Sequence, residues 1–144
     1  MPMHKKRGIA VAAVVFIVIL VTVFVASDYY YYVNSQRLIN ALKIMRLEPE
    51  RGFDICGEIE IDDYAKDCYS TYLSVQIELV REKYAGYEEL EGQEKRDTII
   101  KMLNEISDHT DTVCSVDLMR YESDACAQVK AVLELQKEKL INGE

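Results

Sequence analysis

Two stretches of this chain have residue types and spacing that could do chemistry. The only four cysteines lie in "CGEIEIDDYAKDC" (Cys56 to Cys68) and "CSVDLMRYESDAC" (Cys114 to Cys126), and each pair brackets the same 11 residues. Thiolates can hold a soft metal or shuttle electrons, but those tasks call for C-x-x-C or for four convergent ligands. No C-x-x-C occurs, so the spacing favours structural disulfides. The second stretch is "SDHTD", where His109 sits with Asp108 and Asp111. An imidazole between two carboxylates could bind a transition metal or relay a proton. The commoner fate of such a cluster is a solvated turn, and these three residues are weak metal candidates. There is no nucleophile turn of the G-x-S-x-G kind, no glycine-rich phosphate loop and no twelve-residue calcium loop. No catalytic residue and no cofactor is expected.

The elements that position these residues begin with a hydrophobic segment. Ile9 to Ala26, "IAVAAVVFIVILVTVFVA", holds no charge and one polar residue, Thr22. As a helix it would be about 27 Å long, close to the ~30 Å of a bilayer's hydrocarbon core. Lys5, Lys6 and Arg7 precede it, whereas Asp28 follows and the next basic residue is Arg37. The positive-inside rule then puts residues 1–8 in the cytoplasm, a span over 9–27, and everything beyond outside the cell membrane. The run Tyr29 to Tyr32 fits an interfacial aromatic belt. The apolar run exceeds a signal peptide's core, which favours an uncleaved anchor; cleavage after Ser27 is an alternative. A third fate comes from a resemblance: "KRG" followed by "IAVAAVV" resembles an archaeal prepilin-type signal, which would imply cutting between Gly8 and Ile9, a filament role and a strand-rich head.

Three of the 17 Lys and Arg residues and none of the 25 Asp and Glu residues precede Asp28, so the remainder carries a net charge of −11. That argues against nucleic acid or anionic headgroups as partners and for cations or a basic protein surface. Apolar residues recur at helical spacing throughout. Residues 28–48 read as a helix continuing from the span, with Leu38, Leu42 and Met45 inward and Ile39 alongside. Pro49 and Gly52 make 49–61 a linker. Residues 62–144 form the main domain. Its first helix is capped by Asp62 or Asp63, carries the stripe Leu73, Ile77, Val80, Tyr84 and Tyr87, and stops at Gly92. A second follows with Ile99, Leu103 and Ile106 inward and breaks at 107–112. A last one carries Leu118, Tyr121, Ala125, Val129, Val132 and Leu133. Tyr84, Tyr87 and Tyr121 are expected in the core, with Met102 and Met119 as fillers. "GEIEID" is the only alternating stretch, so the fold class is all-α: one transmembrane helix and an extracytoplasmic, disulfide-stapled antiparallel helical hairpin or bundle.

The four cysteines are symmetric about residue 91, beside Gly92. Two antiparallel helices folding there would set Cys56 against Cys126 and Cys68 against Cys114. The rival pairing joins neighbours, which within an unbroken helix lie about 18 Å apart, too far for the ~5.5 Å of a disulfide. Twelve residues turn a helix by about 120° beyond whole turns, so either the cysteines of an arm flank the seam or Cys56 lies in the linker, and a break at 107–112 would loosen the symmetry. The crossed plan is similar to the twin-cysteine helical hairpins of the mitochondrial intermembrane space. In architecture the chain resembles single-span accessory subunits of archaeal membrane complexes, ammonia monooxygenase among them. The resemblance rests on "HKKRGIAVAAVVFIVILVTVFVAS" followed by an acidic, tyrosine-rich helical region. It implies a non-catalytic subunit partnered by the lipid bilayer and other integral membrane subunits, with copper and catalysis elsewhere and no small-molecule substrate. The alternatives are the filament subunit and an exoplasmic metal-binding or metal-delivery protein that uses His109 and Asp111.

Overall fold

A computed structural model describes residues 3–116, 119 and 123–142, with side chains from Ala12 onward except at 123–125. All regular structure among these residues is helical: α1 Met3–Ile44, α2 Pro49–Gly57, α3 Asp62–Lys83, a 3-10 turn Tyr87–Glu89, α4 Gly92–Cys114 and α5 Ser123–Asn142.

α1 runs unbroken for 42 residues, about 63 Å. Its apolar half is long and apolar enough to cross a membrane. Val14 to Val25 present their side chains 52–69% exposed, on all sides. A helix apolar all round and covered by nothing in its own chain is not a core helix. Beyond the tyrosines the same helix changes character, because Asn34, Ala41 and Met45 are buried and Leu38 packs against the core. Those steps of four, three and four residues make one inward stripe. Leu42 and Ile39, expected beside Met45, are instead 42% and 40% exposed.

The segment expected as a linker contains α2. Pro49 stands at the start of that helix, where its missing N–H costs nothing. Gly52 faces α1 so closely that a Cβ there would lie 3.0 Å from the Met45 Cα. Both residues read as breakers in the sequence and serve here as a helix start and a close crossing. α2 runs back along α1, and just beyond its end the Glu60 N–H donates to Asn34 Oδ1 at 2.6 Å. After a short break α3 turns again to run with α1. Asp62 and Asp63 lie in its first turn, where negative charge suits the helix dipole, but Ile61 is the cap position and no side chain caps it.

The buried stripe of α3 is Ala65, Cys68, Tyr69, Tyr72, Gln76 and Val80. It shares Val80 with the expected stripe but otherwise lies about one position ahead of it, leaving Leu73 and Ile77 half-buried. Phe53 sits edge-on to Tyr69 and Tyr72, ring centroids 5.1 and 5.0 Å away. Thus the core tyrosines are Tyr69 and Tyr72. Tyr84 and Tyr87 are half-buried, and Tyr121 lies outside the described residues, as do Leu118 and the side chain of Ala125. α3 stops at Lys83, with Gly86 (φ 92°) taking the left-handed turn. Gly92 (φ 59°) opens α4 rather than closing α3.

α4 continues straight through 107–112. The hydroxyls of Thr110 and Thr112 donate to the carbonyls of Ile106 and Asp108, so their polar groups are satisfied inside the helix that they were expected to break. α4 packs on α3, with Met102, Thr110 and Val113 buried, and carries α5 on its other side. α5 buries Leu133 but leaves Val129 and Val132 41% and 57% exposed.

Candidate functional site

The disulfides join Cys56 to Cys68 and Cys114 to Cys126, with Cα atoms 5.5 and 5.9 Å apart. The expected crossed pairing, Cys56 with Cys126 and Cys68 with Cys114, is therefore wrong. Its premise was an unbroken helix across each 12-residue interval. Instead α2 ends at Gly57 and α4 at Cys114, so neither interval is one unbroken helix. Equal spacing reflects one device used twice: a helix end bonded to an early turn of the next helix. Only the first lies deep inside. Cys56 and Cys68 are both fully buried, whereas Cys114 and Cys126 are half-buried.

The first disulfide belongs to the junction between α1, α2 and α3. Asn34 is 1% exposed and fully used, its Nδ2 donating to the Tyr30 carbonyl at 3.0 Å while its Oδ1 takes the Glu60 N–H. One turn on, Arg37 donates to the Glu58 carbonyl at 2.6 Å and pairs with Glu60 at 3.6 Å. At the far end of α1, Arg46 pairs with Glu78 and Glu82 of α3. The α1 extension is thus held at both ends. Tyr69 and Tyr72 complete this block. Burial pushes both phenols above their ordinary ionisation range, with smaller contributions from Asp54 and Glu50 respectively.

His109, Asp108 and Asp111 are not brought together. On a helix, residues one or two apart point in different directions. Asp111 turns to α5 and pairs with Lys130 at 2.6 Å. His109 instead lines a groove between α2, α3 and α4, shared with Glu48, Glu50, Arg51, Tyr72 and Gln76. No three His, Cys, Asp or Glu side chains among the described residues are grouped to hold a metal ion. One turn before His109, Glu105 accepts from Lys83 at 2.7 Å and from the Tyr84 hydroxyl. The Lys83 hydrogen bond, then that of Tyr84, draws the Glu105 carboxyl below its usual range. The same carboxylate raises both partners.

Gln76 is the residue that periodicity passes over. It lies on the inward stripe of α3, 5% exposed, and its Nε2 is buried without an acceptor among the described residues. An unmatched buried donor costs about 1–3 kcal/mol, and such groups are few in folded proteins. Glutamine's usual place on helix surfaces hides it in the sequence. Only a stripe started at Ala65 rather than Leu73 would have pointed to it.

No family model matches the chain, and neither the curated proteins nor the solved structures hold a significant match to it.

Proposed function

We propose that this chain is a single-pass membrane protein, N-terminus in the cytoplasm, whose external helical domain serves as a non-catalytic accessory subunit of a larger membrane complex. The observation that carries this reading is the continuity of α1: its exposed apolar half leads without a break into a half whose Asn34, Ala41 and Met45 are core. A domain built on the extension of its own anchor has a fixed height and orientation above the bilayer, and this suits a brace for partner loops. The tyrosines at 29–32, 40–68% exposed, then fall at headgroup level, and the acidic external surface suits basic partner segments.

Purification from native membranes in mild detergent, followed by mass spectrometry of the co-migrating proteins, tests the reading. The expected result is an intact chain with Met1 retained and a reproducible set of larger membrane subunits. A chain that runs alone defeats it. The filament reading draws on the same half-exposed helix, because identical copies could cover Val14 to Val25 as well as lipid does. It calls for a mature terminus at Ile9 and a homopolymer, and the all-helical head departs from the strand-rich head that the prepilin resemblance implies.

A further inference from the structure

The groove around Gln76, about 510 Å³, has features that belong together. Gln76 is 95% removed from solvent yet offers a donor with no acceptor among the described residues. Across from it, Glu48 is paired with Arg51 at 3.3 Å, while Glu50 has no cation among those residues. Glu50 lies near enough to Tyr72 to oppose ionisation of its phenol. The groove is therefore lined by a buried glutamine whose donor has no acceptor among the described residues, by an exposed carboxylate with no cation among them, and by Tyr72 and His109, on a domain of net charge −11. A ligand that satisfies all of these combines a carbonyl acceptor with a cation a few bonds away, which is the chemistry of a lysine or arginine residue within a peptide.

We propose that this groove receives a Lys- or Arg-bearing peptide segment of a partner subunit, the Gln76 amide donating to a main-chain carbonyl and the Glu50 carboxylate pairing with the cation. Resting on the accessory-subunit reading, it names the chemistry of the partner's docking loop. Open on one side, the groove gains from each contact only modestly, so affinity for one isolated segment is low and the complex depends on the fixed position of α1 to bring the loop to it.

The test uses the full chain, disulfides intact, in detergent micelles with labelled glutamine and histidine side chains. A blocked Gly-Arg-Gly tripeptide is titrated against it, with blocked Gly-Glu-Gly as control. Saturable shifts of the Gln76 amide and His109 ring signals are expected, with a dissociation constant on the order of 1 mM. Glu50→Gln should weaken binding about threefold, the scale of a partly exposed ion pair. Gln76→Met keeps the side chain's length and removes the unmatched donor. It should abolish the arginine-dependent shift at His109 while melting no lower than the parent, a combination that a purely structural glutamine would not give. Equal shifts with the glutamate peptide, no saturation with the arginine peptide, or an unaltered affinity in Glu50→Gln would each overturn the proposal. A chain that co-purifies with larger subunits but ignores the peptide loses the groove and keeps the subunit reading. One that binds the peptide but purifies alone does the reverse.

Discussion

The two disulfide corners share a spacing and differ in almost everything around it. At the inner corner Cys56 and Cys68 are fully buried, beside Tyr69 and Tyr72, which make T-shaped contacts with Phe53, and beside Met45 of the α1 extension. The outer corner joins the end of α4 to the first turn of α5, with half-buried cysteines and an exposed apolar strip on α5. In the chain-entropy picture two loops of equal length contribute equally. What separates them is the packing each bond closes: the inner bond completes a core, whereas the outer one tethers a helix to the edge of it.

This contrast can be broken by substitution. Replacing Cys56 and Cys68 together by serine removes the constraint and buries two hydroxyls in an apolar core. The expected loss, by urea unfolding of the helical domain, is at the upper end of about 2–5 kcal/mol. The same change at Cys114 and Cys126 should cost the lower end of that range. Equal losses would mean that burial adds nothing to the loop term. Under graded reductant the half-exposed Cys114–Cys126 bond should open first, as differential alkylation would record; simultaneous opening would contradict the burial difference. Gly52→Ala probes the inner corner without touching sulfur. A methyl group 3.0 Å from the Met45 Cα requires α2 and the Met45 backbone to give by a few tenths of an ångström, at a cost of about 1–3 kcal/mol.

Smaller effects come from pH, and they fall on opposite sides of neutrality in the two regions. Tyr69 and Tyr72 ionise above the ordinary value of 10.0, so the stability tied to their neutral forms is complete below pH 10 and is lost as pH rises through the raised values. Glu105, between α3 and α4, is drawn below 4.5. Its contribution is present above pH 4.5 and fades as pH falls through the lowered value. Because the Glu105 side chain is 32% exposed and that of its partner Lys83 60%, solvent screening keeps the acid effect slight. A pH series of melting temperatures should show a larger alkaline than acid loss traceable to these residues, and Tyr72→Phe should flatten the alkaline limb. An unchanged limb in that variant would remove Tyr72 from the account.

How much of this was legible in the sequence follows from which signals are local. The apolar run of α1 and the helical period of α3 and α4 are local, and these helices were legible, although α3 stops at Lys83, well short of the Gly92 expected to end it, and α4 runs through 107–112. Signals that depend on a neighbour were misleading. Gly52 looks like a break until Met45 is seen against it. "SDHTDT" looks like a loop until its hydroxyls find carbonyls one turn back. The cysteine spacing admitted two pairings, and the choice depended on where the helices stop: Gly57 and Cys114 were both placed inside continuing helices or a linker. His109 was sought as a ligand with Asp108 and Asp111, which its helix points elsewhere. Its actual neighbours across the groove come from residues 48–76, and no spacing rule joins them.

The central claim is that the span and the external domain are one rigid piece through α1. Hydrogen exchange of the full chain in lipid nanodiscs, read by mass spectrometry across residues 24–45, tests it most directly. Protection that runs without interruption from the apolar segment through Tyr29–Tyr32 to Met45 is the predicted result. A fast-exchanging gap between Ser27 and Asn34 would mean a hinge, and a domain merely tethered to its anchor.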